Sequence, residues 1–291
     1  MALYGTIEIG GTKTLVGVGT SPDDLDEPRR IETSTPEETL GAAIDQLRDL
    51  DLDAVGVASF GPLELRNGHG DYGHITATPK AGWQSTDIHS RLGEELGVPV
   101  GLDTDVNGAA LGEWRWGAGR GLRQLVYVTV GTGIGGGAVI DGVALHGLAH
   151  PEMGHLAIQR LTDDDFPGLC RFHGDCLEGM ASGPALAARF GVPAGDLDGV
   201  ELSAAVTLVT SYLAQGLTAM VRVLAPQRII VGGGVAKLSG FFESLRADVA
   251  GRLASYPGLS EHGDQSFVSP PGLGDRSGLA GGLVLAERAA N

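Results

Sequence analysis

Apolar positions open the chain at short, strand-like spacing. Residues 3 to 9 are rich in Leu, Tyr and Ile, Gly10 and Gly11 interrupt them, and a β-branched apolar pattern resumes from Thr14 to Gly19. This predicts a hairpin with a glycine-rich tip. From Ser34 to Leu50 the period changes. Leu40, Ile44 and Leu47 recur at helical spacing behind Thr35-Pro36-Glu37-Glu38, which supplies a cap, a first-turn proline and acids at the positive helix end. Ala54 to Ala58 reads as a buried strand stopped by Phe60-Gly61-Pro62, and Glu64 to Trp83 as a long polar loop of a length that is often functional. Val98 to Leu102 predicts another strand, with a helix from near Val106 through Leu111.

The opening pattern then recurs. Leu125 to Val130 is a strand, Gly131 to Gly137 a glycine tip, and Ala138 to Ile140 turns at Asp141-Gly142 into more strand. Ser203 to Leu224 carries the stripe Val206, Val209, Leu213, Leu217, Met220, Val221 and Leu224, and Ala225-Pro226 stops it. Arg228 to Val231 is a buried strand running into Gly232-Gly233-Gly234, and Ser277 to Ala290 a closing helix. One glycine-tipped hairpin in each half points to a duplicated α/β domain.

Length changes this picture little: 291 residues fit two modest domains. The 48 glycines are neither periodic nor confined to one tract, so they signal tight turns and close backbone approaches. A net charge of −16 argues against a nucleic-acid partner, since phosphate backbones demand a basic surface. No apolar run reaches the ~20 residues of a membrane helix and no cleavable leader is evident, so the expectation is a cytoplasmic protein without a membrane partner. Lysine is scarce: Lys13, Lys80 and Lys237 stand against 17 arginines.

Candidate chemistry gathers at three places. Neither glycine loop matches Gly-x-x-x-x-Gly-Lys-Ser/Thr, and Gly131-Thr132-Gly133 leads to a strand where a dinucleotide fold requires a helix. Glycine tips can nevertheless offer successive N–H groups to an anion, with hydroxyls from Thr12 and Thr132. Asp105 lies between a strand end and a helix start, where a carboxylate can serve as a general base or simply cap the helix, and Asp103 competes for either role. Cys170-x-x-His173-x-x-Cys176, with His155 upstream, supplies four soft or borderline ligands at turn-compatible spacing. A closed tetrahedral site of this kind would be structural zinc.

Together these segments resemble the ROK family of sugar kinases over nearly the whole chain. Gly10 to Lys13 match its Asp-x-Gly-Gly-Thr-Lys loop, Gly131 to Gly137 its Gly-Thr-Gly-x-Gly-Gly-Gly loop, and Gly232-Gly233-Gly234 its adenosine segment. Asp103-Thr104-Asp105-Val106-Asn107 is similar to the family segment Asn-Asp-x-Asn, and Ile75 to Trp83 to a Thr-Pro-Lys-x-Gly-Trp segment. His150-Pro151-Glu152-Met153-Gly154-His155, with His173 in place of a third cysteine, looks like the bacterial fructokinase branch, as does Glu8 where most members carry Asp.

The resemblance implies two ribonuclease H-like domains of the actin and hexokinase type with a cleft between them. They would cover 1–110 plus 277–291, and 111–276 with the zinc loop. It further implies ATP with Mg²⁺ near Glu8, nucleotide contacts from Gly10, Gly11, Thr12, Lys13, Gly131, Thr132, Gly133, Gly232, Gly233 and Gly234, and Asp105 as the base. Thr104, Glu152, His155 and Glu178 would meet the sugar, with Lys80 and Gly70 as further loop candidates. His155, Cys170, His173 and Cys176 would hold zinc. The implied reaction is ATP-dependent conversion of fructose to fructose 6-phosphate by a homodimer. Alternatives are a glucokinase, mannokinase or broad hexokinase of the same family, or a catalytically silent sugar-binding protein. A sugar-sensing repressor of the family would carry an additional N-terminal DNA-binding domain.

Overall fold

The computed structural model describes residues 2–291. The chain forms β1 (Tyr4–Ile9), β2 (Lys13–Gly19), β3 (Arg29–Glu32), α1 (Pro36–Leu47), β4 (Ala54–Ser59), α2 (His89–Leu96), β5 (Val100–Thr104) and α3 (Asp105–Trp116). There follow β6 (Gln124–Val130), β7 (Ile134–Ile140), β8 (Val143–Ala144), α4 (Leu177–Ala181), α5 (Gly183–Phe190), α6 (Gly199–Leu224), β9 (Arg228–Gly232), α7 (Phe241–Leu253), β10 (Val268–Ser269) and α8 (Ser277–Ala289). Two sheets result, ordered β3-β2-β1-β4-β5 and β8-β7-β6-β9-β10. Both therefore place third, second, first, fourth and fifth strands side by side, with a hairpin joining the first two. The repeat expected from the glycine tips is thus a repeat of topology.

Two compact units divide the chain: Met1–Gly121, Gly137–Pro151 and Gly272–Asn291 form the first, Leu122–Gly136 and Glu152–Pro271 the second. This differs from the boundaries expected at 110 and 277. A buried carboxylate explains the longer first unit. Glu113, on the last turns of α3, accepts from Ala118 N (2.7 Å), Gly272 N (2.8 Å), Leu273 N (3.0 Å) and Ser277 Oγ (2.7 Å), tying 118 and 272–277 to one point. Replacing Glu113 by Ala strands these buried donors, and a loss of about 3 kcal/mol or more is expected in urea unfolding.

In the first unit, β1 pairs antiparallel with β2 and parallel with β4. The helix predicted from Ser34 to Leu50 is α1, three residues shorter at its C-terminus. Thr35 Oγ1 caps it by accepting from Glu38 N (3.3 Å), and Leu40, Ile44 and Leu47 are buried with Ile7, Ile9 and Val57 in one core cluster. On the other side of the sheet α8 packs against α3, β1 and β4. Glycine permits this approach: a Cβ on Gly281 would stand 1.8 Å from Gly108 O, and one on Gly56 1.7 Å from Gly282 O. Part of the glycine excess is therefore helix-on-sheet packing.

In the second unit, α6 contacts α4, α5 and α7. It is the one helix among the described residues long and apolar enough to cross a membrane by length and composition, which differs from the expectation that no segment is. Its most apolar stretch is 67% buried inside the protein, as expected of a core helix. The glycine tip expected at Gly131 to Gly137 is shorter than that, since β7 begins at Ile134. Gly136 and Gly137 lie within a strand, where a Cβ would meet Met153 Cβ (2.9 Å) and Asn107 Oδ1 (2.5 Å) respectively. Close packing, not turning, requires glycine at these two positions.

Candidate active site and metal centre

In the first unit, the chain reverses between β1 and β2 through Gly10-Gly11-Thr12-Lys13, closed by Gly10 N donating to Lys13 O (2.9 Å). Neither the Gly11 nor the Thr12 N–H has an acceptor among the described residues. Gly11 has no positive φ, and the place where its Cβ would stand has no neighbour within 4 Å. Nothing inside the protein requires glycine there. A cradle that gains from the absent Cβ and carries two unused donors suits an anion such as phosphate.

Glu8 and Asp105 accompany this loop. Glu8 is the penultimate residue of β1, its carboxylate lies over Gly278 at the start of α8, and its buried Oε2 has no hydrogen-bond partner among the described residues. Burial, reinforced by the nearby Asp105 charge, pushes the Glu8 pKa to about 7, with Lys13 opposing the shift. An unpartnered buried carboxylate oxygen fits a cation or cation-bound water.

Asp105 occupies the first position of α3, and the capping role weighed for it belongs to its neighbour. Thr104 Oγ1 accepts from Asn107 N (3.2 Å), while Asp105 Oδ1 accepts only from Val106 N (2.9 Å). Burial raises the Asp105 pKa to about 6. Such a carboxyl sits close to neutrality, where a general base works best.

Asp103 takes neither role. It is buried, accepts from Thr104 N (2.7 Å) and Asn107 Nδ2 (2.7 Å), and lies 3.1 Å from His146 Nε2, whose pKa this bond raises. It thus braces the strand-to-helix corner that presents Asp105. Nothing in the local sequence marks His146, which is 43 residues away.

The loop from Glu64 to Trp83 returns to the same region. Trp83 is fully buried, its Nε1 donates to Ser34 O (2.8 Å), and its ring meets Phe60 edge-on at 5.1 Å. Lys80 Nζ donates to Gly11 O (2.7 Å) and Thr33 O (3.0 Å). Gly70 has only open space around it.

In the second unit, Gly131 N donates to Gly133 O (2.9 Å), and Gly183 N at the start of α5 donates to Gly131 O (2.8 Å). A Cβ at Gly131 would meet nothing within 4 Å, which leaves the same open cradle as at Gly11. Glu178, in the first turn of α4, accepts from Ile134 N (2.9 Å), so one of its oxygens braces this loop. Gly232 and Gly233 have packing reasons of their own: their Cβ atoms would meet the Tyr127 hydroxyl and Val130 O at 2.3 Å each. Only Gly234 of that segment is open.

The cysteine and histidine cluster assembles as its spacing suggested. Cys170 and Gly174 exchange backbone hydrogen bonds (3.1 and 2.8 Å), turning the chain so that Cys170, His173 and Cys176 converge on His155 at the end of the helical turn Met153–His155. His155 Nδ1 lies 3.5 Å from each sulfur, and His173 Nδ1 3.7 Å from Cys170 Sγ. A tetrahedral zinc with Zn–S near 2.3 Å and Zn–N near 2.0–2.1 Å has ligand separations of about 3.3–3.8 Å. These three separations match such an ion, and all four donor atoms lie within 4.8 Å of one another. On the other side of the ring, His155 Nε2 is 4.0 Å from Glu152 Oε2, near it but beyond hydrogen-bond length. Nearby, Asp164 pairs with both terminal nitrogens of Arg189 (2.8 Å each) and with the Tyr212 hydroxyl, fixing the stretch between His155 and Cys170.

Two sheets with the same five-strand order, each with an open glycine turn between its first two strands, define a ribonuclease H-like protein of the actin and hexokinase class. The chain belongs to the ROK family, whose model matches residues 4–289. It is 42% identical to a fructokinase of Zymomonas mobilis, over 99% of this chain and 98% of that one, and 37% identical to a fructokinase of Pediococcus pentosaceus, over 99% and 98%. Among solved structures it is similar to the ROK hexokinase of Thermus thermophilus, with a TM-score of 0.78, 28% identity and 98% of each chain covered. It also resembles in fold a ROK family glucokinase of Streptomyces griseus in complex with glucose and AMPPNP (TM-score 0.77, 24% identity, 99% and 100% covered).

Proposed function

We propose that the protein transfers the γ-phosphoryl group of ATP to fructose, giving fructose 6-phosphate. Full-length identity of 37–42% to fructokinases supports the acceptor. The observation that carries the chemistry is Asp105, a half-buried carboxylate at the start of α3 that is not used as the helix cap and whose pKa is raised to about 6.

In this reading the open turns at Gly10–Lys13 and Gly131–Gly133, together with Gly232–Gly234, hold the nucleotide through N–H groups and the Thr12 and Thr132 hydroxyls. Lys13 lies beside the transferred group. Phosphoryl transfer demands little covalent chemistry of the protein, so alignment and charge neutralisation do most of the work. Asp105 accepts the proton of the attacking hydroxyl. Thr104 in the first unit, and Glu152, His155 and Glu178 in the second, hydrogen-bond the sugar; Glu178 can do so with the oxygen that does not brace Ile134. Glu8 would hold Mg²⁺ or its water, and the ion would neutralise phosphate charge. Zinc, held by His155, Cys170, His173 and Cys176, is structural, because four protein ligands leave no open position.

By family resemblance the protein works as a homodimer, and its net charge of −16 disfavours a nucleic-acid partner. The substrate assignment is tested by ADP release with ATP and Mg²⁺, comparing kcat/KM for fructose, mannose, glucose and N-acetylated hexosamines. Fructose is expected to exceed the others by roughly tenfold or more, the discrimination a few hydroxyl hydrogen bonds supply. A preference for glucose or mannose would overturn the fructokinase assignment and leave the chemistry standing.

A further inference from the structure

We infer that Lys80 is a positioning residue for the first phosphate loop: its ammonium holds the Gly11 carbonyl so that the Thr12 N–H faces the nucleotide. The inference rests on the reading of Gly10–Lys13 as a phosphate loop and assigns it a support from a distant segment.

Peptide geometry carries the argument. The Gly11–Thr12 bond is trans, since the cis bonds among the described residues are Gly61–Pro62 and Tyr256–Pro257. In a trans peptide the C=O and the following N–H point in opposite directions. Lys80 Nζ stands 2.7 Å from Gly11 O, so the Thr12 N–H is aimed away from Lys80. On that side the N–H has no acceptor among the described residues, and the Gly11 Cβ position is open.

The same ammonium reaches Thr33 O at 3.0 Å, while Thr33 N donates to Thr12 O at 3.1 Å. Lys80 and Thr33 thus clamp the carbonyls of two successive loop residues. A compact ammonium with three donors suits this task better than a planar guanidinium, a reason for lysine in a chain where 17 of 20 cations are arginine. Lys80 is itself held firmly. Trp83 N donates to Lys80 O (3.3 Å), and the Trp83 side chain is locked onto Ser34.

The second loop meets the same requirement by other means. There the Gly183 N–H holds Gly131 O, which by the same geometry aims the Thr132 N–H the opposite way. Lys80 is thereby removed from the sugar-contacting residues among which its loop had placed it.

The test is steady-state kinetics on full-length, zinc-replete Lys80→Met and Lys80→Arg, varying ATP at saturating fructose and fructose at saturating ATP. Lys80→Met is expected to raise KM for ATP roughly ten- to a hundredfold, as for loss of charged hydrogen bonds, with KM for fructose changed less than about twofold. Lys80→Arg, retaining charge and donors, is expected to recover part of the loss. A rise in KM for fructose with KM for ATP unchanged overturns the inference, as does no change in either. Should Lys80→Met fold poorly, AMPPNP affinity of its folded fraction decides: wild-type affinity with only a lowered Tm makes Lys80 a loop anchor and overturns the role. Wild-type protein that binds no AMPPNP would instead overturn the phosphate-loop reading itself.

Discussion

Asp105→Asn is expected to lower kcat with fructose by roughly 10²–10⁴-fold, the range for losing a positioned general base, with KM for either substrate changed far less. Asparagine keeps the oxygen that accepts from Val106 N, and Thr104 remains the cap, so the fold should persist. The pH dependence follows from the same residue. Asp105 must be ionised to accept a proton, so with its pKa near 6 activity should fall about tenfold per unit below that value.

Stability should move in the opposite direction. A carboxyl whose pKa is raised on folding favours the protonated native state. Its stabilisation is full below the unfolded value near 4 and is lost as pH rises through about 6. At pH 8 ligand-free Asp105→Asn should therefore be more stable than the parent, by an amount on the order of 2–3 kcal/mol, and the difference should vanish below about pH 4. Urea unfolding at both values measures this. Glu8, raised to about 7, contributes in the same sense, and His150, whose pKa burial lowers, in the opposite one. Undiminished turnover by Asp105→Asn would remove it from the chemistry.

The second large effect concerns the metal. One zinc per chain is expected by elemental analysis, and stripping it, or replacing Cys170 by Ser, should lower Tm by more than about 10 °C, since structural zinc contributes several kcal/mol to folding. Sugar affinity should fall with it. Glu152 lies 4.0 Å from the His155 ring, and Glu178 follows Cys176 by two residues and braces Ile134. Metal-free protein with normal fructose affinity would break this coupling and leave the ion a remote staple.

Features that rest on neighbours in sequence were legible there. The two hairpins, the α1 cap with its apolar stripe, and the Cys-x-x-His-x-x-Cys spacing all involve contacts within a few residues. Gly10 and Gly11 were read as a tip and are one. Gly136 and Gly137, of identical composition, lie in a strand instead, because strand pairing and the closeness of Met153 and Asn107 override glycine's weak preference for strands.

The helix α2 left no signal because only Leu92 of its eight residues is buried. Helix α7, by contrast, buries Phe241, Leu245, Val249 and Leu253 at four-residue intervals, a stripe the sequence did contain. What distance hid is more telling. Lys80 meets Gly11 across 69 residues, His146 meets Asp103 across 43, and Glu113 meets Gly272 across 159. Residue type and spacing mark Lys80 as unusual in an arginine-rich chain; only the folded loop shows which carbonyls it holds.

The most direct measurement is ³¹P NMR of the zinc-replete protein with ATP, Mg²⁺ and fructose. The expected result is loss of the ATP γ-phosphate signal matched by fructose 6-phosphate and ADP, with little inorganic phosphate. Phosphate released without a sugar ester, an ester at another hydroxyl, or an unchanged ATP spectrum would contradict the assignment of this protein as a fructose 6-kinase.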